Sequence, residues 1–352
     1  MRTIFWEDNR VKMIDQRRLP NALEILTCQT HLEVAHAIQD MAIRGAPAIG
    51  VAAAFGLALA ARESAAQTPS GLLADLQAAS TLLKSARPTA ANLGWALARV
   101  LQSVESIKGA SSVNEMRGHV LSEAQHIADE DVEINKRMAA HGADLINDGD
   151  TIIHHCNTGA LAAVDWGTAL GVIRAAHEHG KRVHVLVDET RPRLQGSRLT
   201  AWELEQYGIP YEIISDNMAG YFLKAGQVQK VMFGADRVAA NGDVANKIGT
   251  YMLALAAYDN NIPVYAVVPT STIDFSLAHG SLIPIEERGA DEVLDIQFRG
   301  DSVGPRNARV RNPAFDVTPN RLITAIVTEN GIARAPFDLS LRNILQDDKG
   351  YS

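Results

Sequence analysis

Cysteine is the first thing this sequence lacks, with two in 352 residues. Cys28 and Cys156 stand far apart and form no CxxC pair; they could in principle bridge, but such sparse usage suits a reducing compartment. HExxH and zinc-type ligand spacings are missing too, and no metal is expected. No G-x-G-x-x-G follows any strand-like run, which removes the usual fingerprint of a nicotinamide or flavin. Positive charge is short: 33 Lys and Arg stand against 41 Asp and Glu, a net charge of −8. With no basic cluster, nucleic acid is excluded as an expected partner. A small anionic substrate is still admitted, because a few placed arginines override net charge locally. The opening Met1–Asp8 has no apolar signal core. The most apolar run, Ala46–Ala61, holds Pro47 and two glycines and is too short to span a bilayer comfortably. The expectation is therefore no membrane and a cytoplasmic location. Internal repeats and long low-complexity linkers are also missing.

What is present is enough for two domains and a large core, with 47% hydrophobic and 21% charged residues, proportions ordinary for a globular enzyme. The first 28 residues carry three short strand patterns, Thr3–Trp6, Val11–Asp15 and Ala22–Thr27, split by polar turns and Pro20. Apolar spacing of Leu32, Val34, Ala35 and Ile38 predicts a helix over Thr30–Asp40. The break at Ile43–Gly50 leads into an alanine-rich helix to Arg62, with Pro47 in the first turn, where its missing N–H costs nothing. Helices are predicted over Gly71–Ser85 and Ala91–Ser106, joined across Ala86–Thr89, and a long one over Val113–Ile146. Then the rhythm changes. Strand-like runs begin near Thr151, Arg182, Tyr211, Gln229 and Ile262, with helical patterns such as Asp165–His179 and Thr200–Tyr207 between them. That alternation implies an α/β fold with a mostly parallel, doubly wound sheet. The division expected is a strand-plus-helix domain over residues 1–122 and a doubly wound domain over 123–352, built like a dinucleotide-binding domain without the signature.

Chemistry gathers at strand ends. Thr151–Ala162 (TIIHHCNTGALA) reads as a strand, a tight turn and a helix start, with Cys156 at the strand's carboxyl edge. Ligands of open α/β sheets bind outside that edge, and the N–H groups of Thr158, Gly159 and Ala160 would cradle an anion at a helix N-terminus. A thiol there loses its proton more easily; the alternative is a buried structural cysteine. Polar clusters also end the next strands, at Asp188–Arg198, Ser215–Gly220 and Gly234–Val238, the last leading to Asn241–Tyr251. Four such ends favour a polar pocket. Asp236, directly after apolar VMFGA, is expected to sit deep, where burial would raise its pKa and suit it to act as an acid; it could instead cap a helix or pair with Arg237. Arg44, beside Gly45 and a helix start, reads as an anion clamp or a surface ion pair. Lys247 after Asn246 could hold a hydroxyl or phosphate, or lie on a helix surface. His154 and His155 are not read as catalytic, and Cys28 is read as a buried structural thiol.

Taken as a set, RGAPAIG at Arg44–Gly50, HCNTGALA at His155–Ala162, DETRPRLQGSR at Asp188–Arg198, DNMAG at Asp216–Gly220 and GADRVAANGDVANKIGTY at Gly234–Tyr251 resemble the methylthioribose-1-phosphate isomerase family. IPIEER at Ile283–Arg288 and NPAFDVTP at Asn312–Pro319 are similar to it as well. The likeness extends from the first strands to about Ile332. It implies an N-terminal domain of strands and helices, a Rossmann-like C-terminal domain, a homodimer, a sugar-phosphate substrate and no cofactor. It also implies catalysis by Cys156 and Asp236, with substrate contacts at Arg44, Gly45, Ala46, Arg87, Gln195, Asn246 and Lys247. The wider superfamily includes regulatory subunits of the translation initiation exchange factor and isomerases of other ribose 1-phosphates.

Overall fold

The computed structural model describes residues 1–88, 90–109, 112–305 and 307–347; Thr89, the end of the expected Ala86–Thr89 junction, lies outside them. The chain forms two compact units, one of Met1–Asn135 with Gly159–Gly167, the other of Lys136–Thr158 with the chain from Thr168 onward.

The first unit opens with an antiparallel sheet of β1 (Ile4–Glu7), β2 (Arg10–Ile14) and β3 (Ile25–Cys28) in that order. Ile4 faces Met13, and Val11 faces Cys28, all buried. Five helices follow: α1 (His31–Gln39), α2 (Ala46–Glu63), α3 (Pro69–Ala86), α4 (Ala91–Ile107) and α5 (Val113–Ala143), the last continuing into the second unit. Thr30 starts α1 through a capping box with Glu33, each side chain bonding the other's main chain, so two first-turn donors are satisfied reciprocally. α2 is apolar all round, from Ala48 to Ala61, and such a helix must be buried. It is wrapped by α1, α3 and α4 at the centre of the core. By length and composition α2 could cross a membrane, yet 78% of it is buried in the protein.

The second unit is built on parallel strands β4 (Thr151–His154), β5 (His184–Asp188), β6 (Tyr211–Ile214) and β7 (Lys230–Phe233). A hairpin follows, β8 (Arg237–Ala239) and β9 (Val244–Lys247), then β10 (Val264–Val267) and the short β11 (Ile273–Asp274). Beyond a two-residue ribbon, β12 (Gln297–Phe298) with β13 (Asp301–Ser302), come β14 (Phe315–Thr318), β15 (Ala325–Thr328) and β16 (Gly331–Ala333). The main sheet runs β16-β15-β10-β7-β4-β5-β6, parallel except for β16. Helices α6 (Ala169–Glu178), α7 (Ala201–Tyr207), α8 (Ala219–Lys224) and α9 (Thr250–Asp259) connect its strands. The order places β4 at the start of both windings, with β7 beside it on the other side, so the sheet's switch point lies between them. That is where doubly wound sheets bind ligands.

Three sequence expectations change. The expected helix start after Cys156 is a single 3-10 turn, Ala160–Ala162, inside the segment Gly159–Gly167 that belongs to the first unit. The helix read from Asp165 begins at Ala169, because Trp166 and Gly167 both take positive φ and turn the chain first. A second sheet, β11-β8-β9-β14, was not foreseen. Its β8–β9 hairpin closes on Asn241-Gly242, with Gly242 at φ 85°, the strongest short hairpin signal a sequence can carry.

Candidate active site

The second unit collects Cys156, Asp236, Gln195, Asn246 and Lys247. Cys156 lies two residues past the end of β4 and Asp236 three past the end of β7, the two strands that flank the switch point. Cys156 is buried and holds φ 67°, a left-handed conformation costly for a residue with a Cβ. Two threonines hold it there. The Cys156 N–H donates to Thr190 Oγ1 at 2.9 Å, and the Thr200 hydroxyl donates to the Cys156 carbonyl at 2.7 Å. Next to it, the Asn157 amide donates to Thr200 Oγ1 and to Glu203 Oε1. Thr190 was visible only as part of a quoted motif, and its role as a clamp on the thiol-bearing peptide is a structural finding.

Asp236 departs from expectation. It is exposed rather than deep, because β7 ends at Phe233 and the turn through Gly234 carries the next residues off the sheet. Its main chain is fixed all the same, the Asp236 N–H donating to the Ala245 carbonyl at 2.9 Å. That bond sets β8 against β9, the strand that delivers Asn246 and Lys247.

Lys247 is on this strand and not on a helix surface. Its ammonium donates to the Ala314 carbonyl at 2.8 Å and lies 4.5 Å from the centre of the Phe315 ring, the residue opposite it in β14. Burial and the Arg288 guanidinium push its pKa down to about 8, against the pull of Cys156 and Asp236. Asn246 is buried and donates to Thr250 Oγ1 at 3.0 Å. Gln195 is buried at the head of a π-turn, Gly196–Thr200, that leads into α7. Among the described residues its Oε1 has no hydrogen-bond partner, so the side chain retains an acceptor for a hydroxyl or amide.

The first unit collects Arg44, Gly45, Ala46 and Arg87. Gly45 caps α2 at φ 97° and Pro47 sits in its first turn, as the sequence predicts. First-turn N–H groups have no acceptor within a helix, and Arg44, half-buried, is the residue just before the Gly45 cap; a helix end of this kind favours an anion. Arg87 caps the C-terminus of α3 and reaches Met41 Sδ at 3.7 Å. Met41 precedes Arg44 by three residues, so the two arginines share one loop region.

His155, Asp188 and Asp216 present ligand atoms within 4.8 Å of one another. Both His155 nitrogens face internal partners, Asp188 Oδ2 at 2.8 Å and the Ile248 carbonyl at 3.0 Å, and the Asp216 oxygens accept the N–H groups of Thr190 and Arg191. Both ring nitrogens are thus engaged, and the group is a hydrogen-bonded network. Cys28, at the end of β3 in the first unit, is buried, and its thiol is pushed up to about 11 by burial.

Comparison with known proteins places this arrangement. The sequence model of the Initiation factor 2 subunit family matches residues 42–335. The chain is 52% identical over 347 residues to the methylthioribose-1-phosphate isomerase of Thermotoga neapolitana, covering 98% of both chains. The solved 5-methylthioribose 1-phosphate isomerase of Pyrococcus horikoshii superposes with a TM-score of 0.92 at 44% identity, over 98% of this chain and 96% of that one. A structure described as translation initiation factor eIF-2B, subunit delta, from A. fulgidus superposes with a TM-score of 0.88 at 43% identity, over 98% and 99%. The strand-end chemistry and these likenesses converge: the chain belongs to the Initiation factor 2 subunit family and, within it, to the methylthioribose-1-phosphate isomerases.

Proposed function

We propose that this protein is an aldose–ketose isomerase that converts 5-methylthioribose 1-phosphate to 5-methylthioribulose 1-phosphate in methionine salvage. The observation that carries this is identity of about one residue in two, over nearly the whole chain, to relatives of that name.

The reaction explains why a thiol and a carboxyl group are wanted. Phosphate blocks the anomeric oxygen, so the sugar cannot open freely to an aldehyde. An acid must protonate the ring oxygen as the C1–O4 bond breaks, and Asp236 is assigned that role. One hydrogen then moves from C2 to C1 while the phosphate stays on O1. In one route the Cys156 thiolate removes the C2 proton, giving an enol that is reprotonated at C1. In the other, hydride passes directly from C2 to C1 as the O2 proton leaves, and Cys156 positions or stabilises. Arg44, Gly45, Ala46 and Arg87 are assigned to the substrate anion, which supplies orientation rather than bond-making. Gln195, Asn246 and Lys247 are assigned to polar groups of the sugar phosphate. Exposure of Asp236 fits a group that becomes enclosed, and so a better acid, when substrate covers it.

The A. fulgidus likeness favours a second reading, a non-catalytic subunit of the same fold. Cys156 and Asp236 at adjacent strand ends support the enzyme. A third reading, isomerisation of 5-deoxyribose 1-phosphate, differs by an apolar substituent worth only about 1–3 kcal/mol of discrimination. Turnover of purified protein on both sugars, followed by NMR, separates the three. Ketose formation with preference for the methylthio sugar supports the salvage role, preference for the deoxy sugar moves that role, and no turnover of either removes the enzyme reading.

A homodimer in the cytoplasm completes the proposal. Met218, Tyr221, Met252, Leu255 and Tyr258 are exposed on and beside α8 and α9, which pack on each other, and α9 is apolar on every side, as for a helix with a second face to bury. Both cysteines are thiols, in keeping with a reducing compartment.

A further inference from the structure

His155 has no part in the chemistry above, yet it is enclosed at the base of the strand end that bears Cys156. Its side chain is 1% exposed. Nε2 faces the Ile248 carbonyl, which can only accept, so Nε2 carries a proton. Nδ1 faces Asp188 Oδ2. The next residue on each side ties in: Ile248 follows Lys247, and Cys156 follows His155. Gly249 makes room for the ring, since a Cβ there would lie 3.0 Å from His155 Cε1.

The surrounding charges are carboxylates on three further elements. Asp188 ends β5, and its carbonyl accepts the Thr190 hydroxyl that in turn accepts the Cys156 N–H. Asp216 holds the N–H groups of Thr190 and Arg191, and Asp316 of β14 holds those of Gly249 and Tyr251. The neighbouring His154 faces Thr158 Oγ1 instead of a carboxylate, and burial pushes its pKa down to about 3. For His155 burial acts the same way, but the Asp188 carboxylate outweighs it and the pKa ends above the ordinary value. Adjacent histidines in one buried segment are thus pushed in opposite directions because only one has an acid.

We propose that His155 is a positioning residue: bonded to Asp188 on one side and to the Ile248 carbonyl on the other, it clips the Cys156 strand end to the strand end that carries Asn246 and Lys247. The proposal rests on the assignment of those residues to the site, and its test is chosen to fail separately from that assignment.

Three proteins carry the test: wild type, H155L, which removes the clip, and D188N. In D188N the new side-chain amide can donate to Nδ1 while Nε2 still donates to Ile248, so the clip survives and the charge does not. Ring 15N NMR is expected to show, in the wild type, one histidine that carries a proton on Nε2 and titrates above the ordinary range. That signal should be absent in H155L, convert to the neutral Nε2–H tautomer in D188N, and persist in C156S. With methylthioribose 1-phosphate, H155L should lose about 100-fold in kcat/KM, the size expected when a catalytic group shifts by about 1 Å, while D188N keeps most of its activity. Alkylation of Cys156 by iodoacetamide needs no substrate and should speed up several-fold in H155L but not in D188N. Equal alkylation in all three proteins, or a wild-type His155 with no proton on Nε2, would overturn the proposal whatever the substrate is. Should H155L not fold, D188N decides alone: the tautomer change with loss of activity equal to that of C156S would refute a clip that works by geometry. Absence of wild-type turnover refutes the functional reading and leaves the NMR and alkylation outcomes in force.

Discussion

Gly45 faces the main chain of Ala162 so closely that a Cβ at position 45 would lie 2.3 Å from the Ala162 carbonyl oxygen and 2.5 Å from its Cα. The partner atoms are backbone and cannot swing aside, and φ 97° is itself a glycine conformation. Two independent constraints thus demand glycine at the head of α2. Gly45→Ala should destabilise the protein by more than about 1 kcal/mol and weaken substrate binding by displacing Arg44 and Ala46. Urea unfolding and KM check this; an unchanged midpoint would mean that the Gly45–Ala162 contact is not held in solution.

Cys156→Ser and Asp236→Asn should each lower kcat by about 100-fold or more, the range for loss of a group that moves a proton in the transition state. Neither side chain belongs to the large apolar cluster of either unit, so thermal unfolding should shift little. Steady-state kinetics on methylthioribose 1-phosphate, alongside a melting curve, read both effects. Full turnover in either variant would remove that residue from the reaction.

How far these sites were legible depends on how local their causes are. The helix over Thr30–Asp40 was readable because the spacing of Leu32, Val34, Ala35 and Ile38 lies in the sequence itself, and the cap the structure adds, Thr30 with Glu33, is equally local. The parallel sheet was readable from alternating strand and helix patterns. Asp236 was misplaced because an apolar run before it implied depth, whereas the exit of β7 and the pairing of Asp236 N–H with Ala245 are set by β9, a tertiary partner. The same holds for Lys247, whose buried place on β9 depends on Ala314 and Phe315, nearly seventy residues on. The turn at Trp166–Gly167 was read as helix because composition alone does not announce positive φ at a tryptophan.

Lys247 should show its burial in the pH dependence of stability. Its folded pKa is about 8 against an ordinary 10.5, so between those values the unfolded chain binds more protons than the folded one. Stability of the wild type relative to Lys247→Met should therefore rise from pH 8 to pH 10.5 and be flat on either side. Substrate affinity should move oppositely, KM for the anionic sugar rising above pH 8 as the ammonium is lost. Urea midpoints of both proteins across this range test the first claim, and a constant difference between them would show that Lys247 titrates normally.

The exposed face of α8 and α9 supplies the last test. Met252 and Tyr258 are each more than half exposed on a helix whose other side already packs on the core through Leu253, Ala254 and Ala257. Replacing both with lysine leaves those inner contacts intact, so the fold should survive, while like charges meeting across a two-fold axis would oppose pairing of two copies. Sedimentation equilibrium should find a dimer for the wild type and a monomer for Met252→Lys with Tyr258→Lys, with matching circular dichroism. A wild type that stays monomeric at tens of micromolar would refute the dimer, and a doubly substituted dimer would move the contact to another face.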